Sequence, residues 1–369
     1  LTWKGWKTIS AIEKRIRRHL KKLEPYVPIV PVEVLAEKAG ISPDKVIKLD
    51  GNENPYGCSP RVLQALARYP YYHIYPDPDQ RELRKAVAKY IGTTSESIVL
   101  GAGSDELIDL ILRLFLDPGD KVINCVPTFG MYPFNTGICG GEVTTILRNE
   151  DYEVDVPAVK AAIDKRTKVL FLASPNNPSG NITVPDDLRE LVETGILVVV
   201  DEAYAEFSRF SVIPWVSRYE NLIVLRTFSK WAGLAGVRVG YGLFPPKIAN
   251  HIMKIKPPYN INVAAQIAVL ESLSDIEYLR GRVQAIVDER PRLFRLLRSI
   301  AFLEPFPSDA NFILCRVLDG RAKQIYDSLA KQGIFIRYFD TPLLRDFIRI
   351  SVGKPEHTDA LIEALKKMG

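Results

Sequence analysis

Lys230 closes the segment Thr227-Phe228-Ser229-Lys230, just beyond the aliphatic run Leu222-Ile223-Val224-Leu225, and Arg238 follows eight positions later. A short aliphatic run of this kind reads as a buried strand of a parallel sheet. Lysines after strands are usually solvated. This one stands beside two hydroxyls and a guanidinium, a set suited to a phosphate. Partial burial near other cations pulls a lysine pKa below its free value of roughly 10.4, and the neutral amine is a nucleophile. The segment therefore points to a Schiff base between Lys230 and an aldehyde whose phosphate is taken by Thr227, Ser229 and Arg238.

Four more strand ends offer groups to the same ligand. Ser97-Ile98-Val99-Leu100 leads into Gly101-Ala102-Gly103-Ser104-Asp105-Glu106 and an apolar helix from Leu107 to Leu116. On its own this reads as an ordinary strand-to-helix turn with Ser104 as N-cap. It also makes a phosphate cradle from the glycine turn at Gly103 and the backbone N–H groups of Ser104 and Asp105. The carboxylates of Asp105 and Glu106 suit the helix dipole and are expected to turn away from the anion. The run Lys121–Val126 ends in Pro127-Thr128-Phe129-Gly130, and Phe129 can stack on a flat heteroaromatic ring.

Val169–Ala173 ends in the turn Ser174-Pro175-Asn176-Asn177-Pro178-Ser179-Gly180, where the Asn177 carboxamide can donate to a ring hydroxyl. Ile196–Val200 ends in Asp201-Glu202-Ala203-Tyr204. An aspartate straight after an apolar strand is costly unless paired, and a protonated pyridine nitrogen would pair it. Tyr204 could then reach the ring oxygen. Ligands of open α/β sheets bind outside the carboxyl ends of the strands. A ring nitrogen, a ring hydroxyl, a π-face, a phosphate and an electrophilic carbon together describe pyridoxal 5'-phosphate.

These residues resemble the fold-type I, class I/II pyridoxal-phosphate-dependent aminotransferases, and within them the histidinol-phosphate enzymes. Three segments carry the narrower resemblance: Lys48-Leu49-Asp50-Gly51-Asn52-Glu53-Asn54-Pro55-Tyr56-Gly57, Tyr75-Pro76-Asp77-Pro78 and Pro127-Thr128-Phe129-Gly130-Met131-Tyr132. The resemblance runs from about Lys21 to the C-terminus. It implies an α/β fold with a large, doubly wound, mostly parallel sheet domain and a smaller α+β domain that the Leu49 region joins. It implies that Lys230, Asp201 and Tyr204 are catalytic. Tyr75 is implied to reach the cofactor phosphate of the neighbouring subunit of a homodimer. Arg349 and Arg337 are implied to bind the substrate anion, with Tyr26 adding a hydroxyl. The stacking position, often tyrosine in the family, is Phe129 here, which keeps the stacking and loses a phenol. The implied reaction moves the amino group between L-histidinol phosphate and 2-oxoglutarate, giving imidazole-acetol phosphate and L-glutamate, in histidine biosynthesis.

With 369 residues, 47% of them hydrophobic, the chain can bury a large core. Strand and helix patterns alternate from Arg61 to about Asn262. We therefore expect an arm and the first part of the small domain in residues 1–60, the large cofactor domain in 61–262 and the small domain in 263–369. A long helical stretch from Val263 to about Ile300 should precede strands at Asn311–Cys315, Gly333–Arg337 and Phe347–Val352. The net charge of +5 owes much to Lys14, Arg15, Arg17, Arg18, Lys21 and Lys22. They surround Ile12, Ile16, Leu20 and Leu23 at helical spacing after a capping box of Ser10 and Glu13, which reads as an amphipathic arm.

No nucleic-acid reader motif accompanies that charge. The longest apolar stretch, Leu107 to Leu116, is interrupted by Asp109 and Arg113, so no transmembrane helix is expected. Cys58, Cys125, Cys139 and Cys315 lack paired spacing and suit a reducing compartment. His19, His73, His251 and His357 show no metal-ligand spacing, which argues against a zinc site. An opening at Leu1 rather than methionine suggests that upstream residues have been removed. The Pro25-Tyr26-Val27-Pro28-Ile29 opening resembles that of plant-type enzymes and implies a plastid stroma, with cytoplasm as the alternative. Three other activities compete: an aromatic aminotransferase, a threonine-phosphate decarboxylase, and a non-enzymatic cofactor-sensing module of a regulator.

Overall fold

Runs of Val, Ile and Leu bounded by Gly, Pro and Asn build two sheets in this computed structural model, which describes residues 12–369. Strand β1 (Ile47–Leu49) belongs to the smaller sheet. The larger one comprises β2 (Ile98–Gly101), β3 (Lys121–Val126), β4 (Glu142–Leu147), β5 (Thr167–Ala173), β6 (Leu197–Asp201), β7 (Leu222–Thr227) and β8 (Gly240–Leu243). Their order is β2-β8-β7-β6-β5-β3-β4. Only β8 runs antiparallel to its neighbours, so the five strands that carry the candidate residues point their carboxyl ends to one edge.

Two members of this sheet escape the hydrophobic pattern. β4 is an edge strand that alternates half-buried and exposed residues, and β8 reads Gly-Tyr-Gly-Leu. A Cβ on Gly240 would lie 2.6 Å from the Ser104 backbone nitrogen, so packing there demands glycine.

Strands β9 (Leu303–Pro305), β10 (Phe312–Val317), β11 (Ile334–Tyr338) and β12 (Phe347–Ser351) complete the smaller sheet in the order β1-β11-β12-β10-β9. β1 pairs in parallel with β11, Ile47 opposite Ile334, which carries residues 50–53 to the edge of the large sheet. The expected long helical stretch is two helices, Val263–Ser274 and Ile276–Arg298, broken at Asp275. That residue leaves helical geometry while its carboxylate accepts a hydrogen bond from Ser59 and faces Arg61 at 3.6 Å.

The expected amphipathic arm helix does not form as such. Ser10 lies outside the described residues, and Glu13–Arg15 and Arg18–Lys22 make two short 3-10 turns. Ile12 and Ile16 stay 67% and 48% exposed, since only His19 to Leu23 meets an apolar surface, the helix Met131–Cys139. A helix this short needs such a surface along its whole length.

Side chains alternate across β6 and β7, so Asp201 and Thr227 share one face while Glu202 and Arg226 share the other. On that second face Arg226 lies 2.7 Å from Glu202 and 3.2 Å from Glu206, all three buried. Breaking a buried pair from one side strands the remaining charges. Arg226→Met is expected to lower the free energy of unfolding by about 3 to 5 kcal/mol, read by urea titration.

Candidate active site

The carboxyl ends of β3, β5, β6 and β7 and the start of the helix Ser104–Phe115 enclose a cavity of about 320 Å³. Ser104, Asp105, Phe129, Asn177, Asp201, Tyr204, Thr227, Ser229, Lys230 and Arg238 all line it. It adjoins a larger cavity of about 990 Å³, lined also by Tyr26, Arg337 and Arg349.

Asp201 is 4% exposed. Its carboxylate accepts hydrogen bonds from the Tyr132 hydroxyl at 2.8 Å and from the Ala203 backbone N–H at 3.1 Å. Burial outweighs these bonds and pushes the carboxyl up to about 6. Tyr132 is fully buried, stacked on Phe171 at 4.8 Å and met edge-on by Phe129 at 5.6 Å. Its role as partner of Asp201 is absent from the sequence reading.

The Lys230 ammonium donates to the Gly51 carbonyl at 2.8 Å and lies 5.9 Å from the Tyr204 ring centre. Burial, helped by the Arg349 cation, pushes its amine down to about 8. A larger fraction than for a free lysine is thus unprotonated at mildly alkaline pH, the form that attacks an aldehyde. The Tyr204 hydroxyl accepts from the Asn52 carboxamide at 3.0 Å, leaving its own proton to donate.

Thr227 Oγ1 donates to Ser229 Oγ at 2.9 Å and accepts from the Ser229 backbone N–H at 3.0 Å. Arg238, in a left-handed backbone conformation with φ 58°, donates to Asp105 at 3.1 Å. The Asp105 carboxylate therefore faces the cradle, contrary to the expectation that it turns away, because the guanidinium attracts it. Glu106 does turn back, accepting from the Ala102 backbone N–H at 2.6 Å and from Asn260 at 2.7 Å. The N-cap is Gly103, with φ 84°, rather than Ser104. A Cβ on Gly103 would stand 2.5 Å from Arg238 Nη2, so glycine keeps this cradle open.

Arg349 is 6% exposed and donates to Asn177 Oδ1 and to the Asp50 carbonyl, both at 2.6 Å. Its Nε is buried without a hydrogen-bond partner among the described residues. Burial pulls its pKa down to about 10. Arg337 stands directly opposite across β11 and β12, and both guanidinium groups lie 5.7 Å from the Phe339 ring. Tyr26 sits at the outer rim, 41% exposed and 6.4 Å from the Phe134 ring.

Tyr75 is not brought into this site. It is 79% exposed and stacks on Tyr259 at 4.5 Å on the outer surface. Gly51, Asn52 and Ile29 reach the cavities without having been singled out. Asn52 lay within a motif already quoted, and its φ of 54° is a conformation that asparagine tolerates better than most residues. No cluster able to hold a metal ion occurs among the described residues.

The donor set fits a phosphorylated aromatic aldehyde. A cradle that a methyl group would fill could take its phosphate, a buried carboxyl short of a cation could pair its ring nitrogen, and a half-buried amine could meet its aldehyde. The aminotransferase class I and II profile matches residues 44–365, and the chain belongs to that family. Its cofactor is pyridoxal 5'-phosphate. Within the family the chain is similar to the chloroplastic histidinol-phosphate aminotransferase 1 of Arabidopsis thaliana, 49% identical over 98% of this chain and 87% of that protein. Histidinol-phosphate aminotransferase of Dehalococcoides mccartyi (strain ATCC BAA-2266 / KCTC 15142 / 195) is 47% identical over 97% of this chain and 99% of the other. The crystal structure of the Sinorhizobium meliloti histidinol-phosphate aminotransferase in complex with pyridoxal-5'-phosphate superposes with a TM-score of 0.86. It is 28% identical, covering 96% of this chain and 98% of that one.

Gly103→Ala should weaken cofactor binding about tenfold or more, measured by equilibrium titration of the cofactor-free protein, through the clash with Arg238 and the strained φ. The folded Asp201 carboxyl, near 6, titrates above its ordinary 3.8, so the stability it leaves intact at low pH is lost as pH rises through about 6. Cofactor-free Asp201→Asn should be more stable than the unmodified protein at pH 8, by up to about 3 kcal/mol, with the gap narrowing below about pH 6 and closing below about pH 4. Its aminotransferase activity should be lost.

Proposed function

We propose that the chain transfers the amino group between L-histidinol phosphate and 2-oxoglutarate, giving imidazole-acetol phosphate and L-glutamate, the histidinol-phosphate aminotransferase step of histidine biosynthesis. One observation carries this reading: Arg337 and Arg349 stand directly opposite on one face of the small sheet, Arg349 buried, with no side-chain carboxylate paired with either among the described residues. Like charges opposed across strands repel. An anion between them relieves that repulsion, and a substrate phosphate or carboxylate is such an anion. Histidinol phosphate carries a phosphate where glutamate carries its α-carboxylate, so one arginine pair serves both half-reactions.

Bound pyridoxal phosphate supplies an electron sink for the charge left when the α-proton departs. The residues do the rest. Lys230 Nζ removes the proton from the substrate α-carbon, its amine held near a matched pKa by burial. Asp201 would hold a proton on the ring nitrogen, and that cation would relieve the cost of its buried charge. Asn177 and Tyr204 would donate to the ring oxygen, and Phe129 would stack on the ring. Thr227, Ser229, Arg238 and the N–H groups of Ser104 and Asp105 hold the phosphate in the cradle that Gly103 keeps open. Tyr26 adds its hydroxyl at the substrate end.

We assign residues 61–262 to the large cofactor domain, and 1–60 and 263–369 to the arm and the small domain, on the division of the strands into two sheets. A homodimer in which Tyr75 reaches the neighbouring subunit's phosphate is supported by its 79% exposure away from its own chain's cavity. The plastid reading rests on the Pro25–Ile29 opening and the chloroplastic plant relatives; a bacterial relative of similar identity keeps cytoplasm as the alternative. Among the described residues no helix is long and apolar enough to cross a membrane.

A substrate panel of histidinol phosphate, phenylalanine, tyrosine, aspartate and threonine phosphate with 2-oxoglutarate tests the assignment. Histidinol phosphate should have the highest kcat/KM, and Lys230→Ala should abolish turnover. Arg349→Ala should raise the KM for histidinol phosphate at least tenfold, roughly the value of one charged hydrogen-bonding contact. Release of carbon dioxide from threonine phosphate, a preference for tyrosine, or an unchanged KM in Arg349→Ala would count against it.

A further inference from the structure

Residues 50–53 make a turn at which the functional side chains of both sheets terminate. Arg349 donates to the Asp50 carbonyl at 2.6 Å and Lys230 to the Gly51 carbonyl at 2.8 Å, while the Asn52 carboxamide donates to the Tyr204 hydroxyl at 3.0 Å. The turn is anchored on the small sheet. The Asn52 backbone N–H and Oδ1 both bond Ser351 Oγ at 2.9 Å, and Asn311 donates to the Asn52 carbonyl at 2.9 Å. Its conformation is unfavourable for most side chains, with Asn52 at φ 54°.

One side chain spans this turn. The Lys48 ammonium donates to Asp50 at 2.7 Å and to Glu53 at 2.6 Å, so both carboxylates flanking Gly51 are tied to a single cation. Lys48 is 17% exposed in its side chain and Asp50 10%, so the clamp is partly shielded from water. Neither Lys48 nor Asp50 lines the two cavities, and the proposed mechanism gives them no role. Without Lys48, Asp50 and Glu53 would face Lys230 and Arg349 with their charges unclaimed.

We propose that Lys48 is a positioning residue whose ammonium, bridging Asp50 and Glu53, fixes the turn that orients Arg349, Lys230 and Tyr204 together. It touches neither substrate nor cofactor. It keeps the carbonyl of Asp50, rather than its carboxylate, directed at Arg349, so that guanidinium keeps its charge for the substrate anion. Loosening the turn misplaces the arginine and the lysine at once, and a displacement of about 1 Å in an active site can cost a hundredfold in rate.

The proposal rests on the site roles given above, and opposite-charge variants test it separately from them. Lys48→Met removes a positive charge and Glu53→Gln a negative one. A direct field effect would move the KM for 2-oxoglutarate in opposite directions in the two variants. A loosened turn raises it in both, by about tenfold, and Lys48→Arg restores it. Hydrogen exchange of the cofactor-free protein gives a readout free of turnover. The peptide containing the Asn52 amide should exchange at least severalfold faster in both variants, while peptides from β6 and β7 keep their protection. Opposite shifts in KM, an unchanged KM, unchanged exchange at Asn52, or failure of Lys48→Arg to rescue would each overturn the proposal. If Lys48→Met does not fold, Glu53→Gln carries the test alone, because a field effect would lower its KM for 2-oxoglutarate whereas a loosened turn raises it and speeds exchange at Asn52. Lys230→Ala that retained turnover would sink the site reading itself, whatever the Lys48 variants did.

Discussion

Buried charges of opposite sign, held apart, are the constraint on which this architecture turns. Asp201, Lys230 and Arg349 each line the wall of one of the two cavities, Asp201 and Arg349 buried and Lys230 half-buried. Folding could have neutralised them by direct pairing. Instead Asp201 faces a phenol and an amide, Lys230 a carbonyl, and Arg349 a carbonyl and a carboxamide. Neutral partners satisfy hydrogen-bonding capacity without cancelling charge. The cost appears as a carboxyl pushed up, and an amine and a guanidinium pushed down, from their ordinary values.

The same strands show what the alternative looks like. One residue further along, on the opposite face, Glu202 and Arg226 pair directly at 2.7 Å with Ser211 and Glu206 completing the network. Side-chain alternation thus separates a closed ion-pair network, which serves the core, from open charges that await a ligand. That separation is only possible because β6 and β7 are flanked on both sides and fully buried. A sheet edge exposed to water would have screened both sets alike.

Much of this was legible in the chain because the informative residues sit at the ends of aliphatic runs. Asp201 after Val200, and Lys230 beyond Leu225, are anomalies of composition that need no tertiary knowledge. The parts that were not legible depend on contacts between distant segments. Tyr132 meets Asp201 across 69 residues, and Asn52 meets Ser351 across 299. No local pattern encodes either meeting. β8 hid because its glycines answer to packing against Ser104 rather than to strand propensity, and β4 because an edge strand needs few apolar residues. The arm failed as a helix for the reverse reason, since its apolar spacing is helical but Ile12 and Ile16, half of that apolar face, stay exposed.

On the proposed reading, the small sheet explains how one site would accept anions of different shape. A guanidinium bonded to a carboxylate is already neutralised, and a substrate anion would have to displace that partner. Arg349 instead uses Asp50 through its carbonyl, while the Asp50 carboxylate is occupied by Lys48. Its remaining N–H groups, and the unneutralised charge of Arg337 beside it, therefore act as an electrostatic sink with little imposed geometry. Planar carboxylate and tetrahedral phosphate both satisfy such a sink, because charge and donors are supplied without a rigid frame around them. Discrimination between substrates must then fall to the rest of the larger cavity, where Phe339, Leu343, Leu344, Thr128 and Tyr26 face whatever side chain the anion carries.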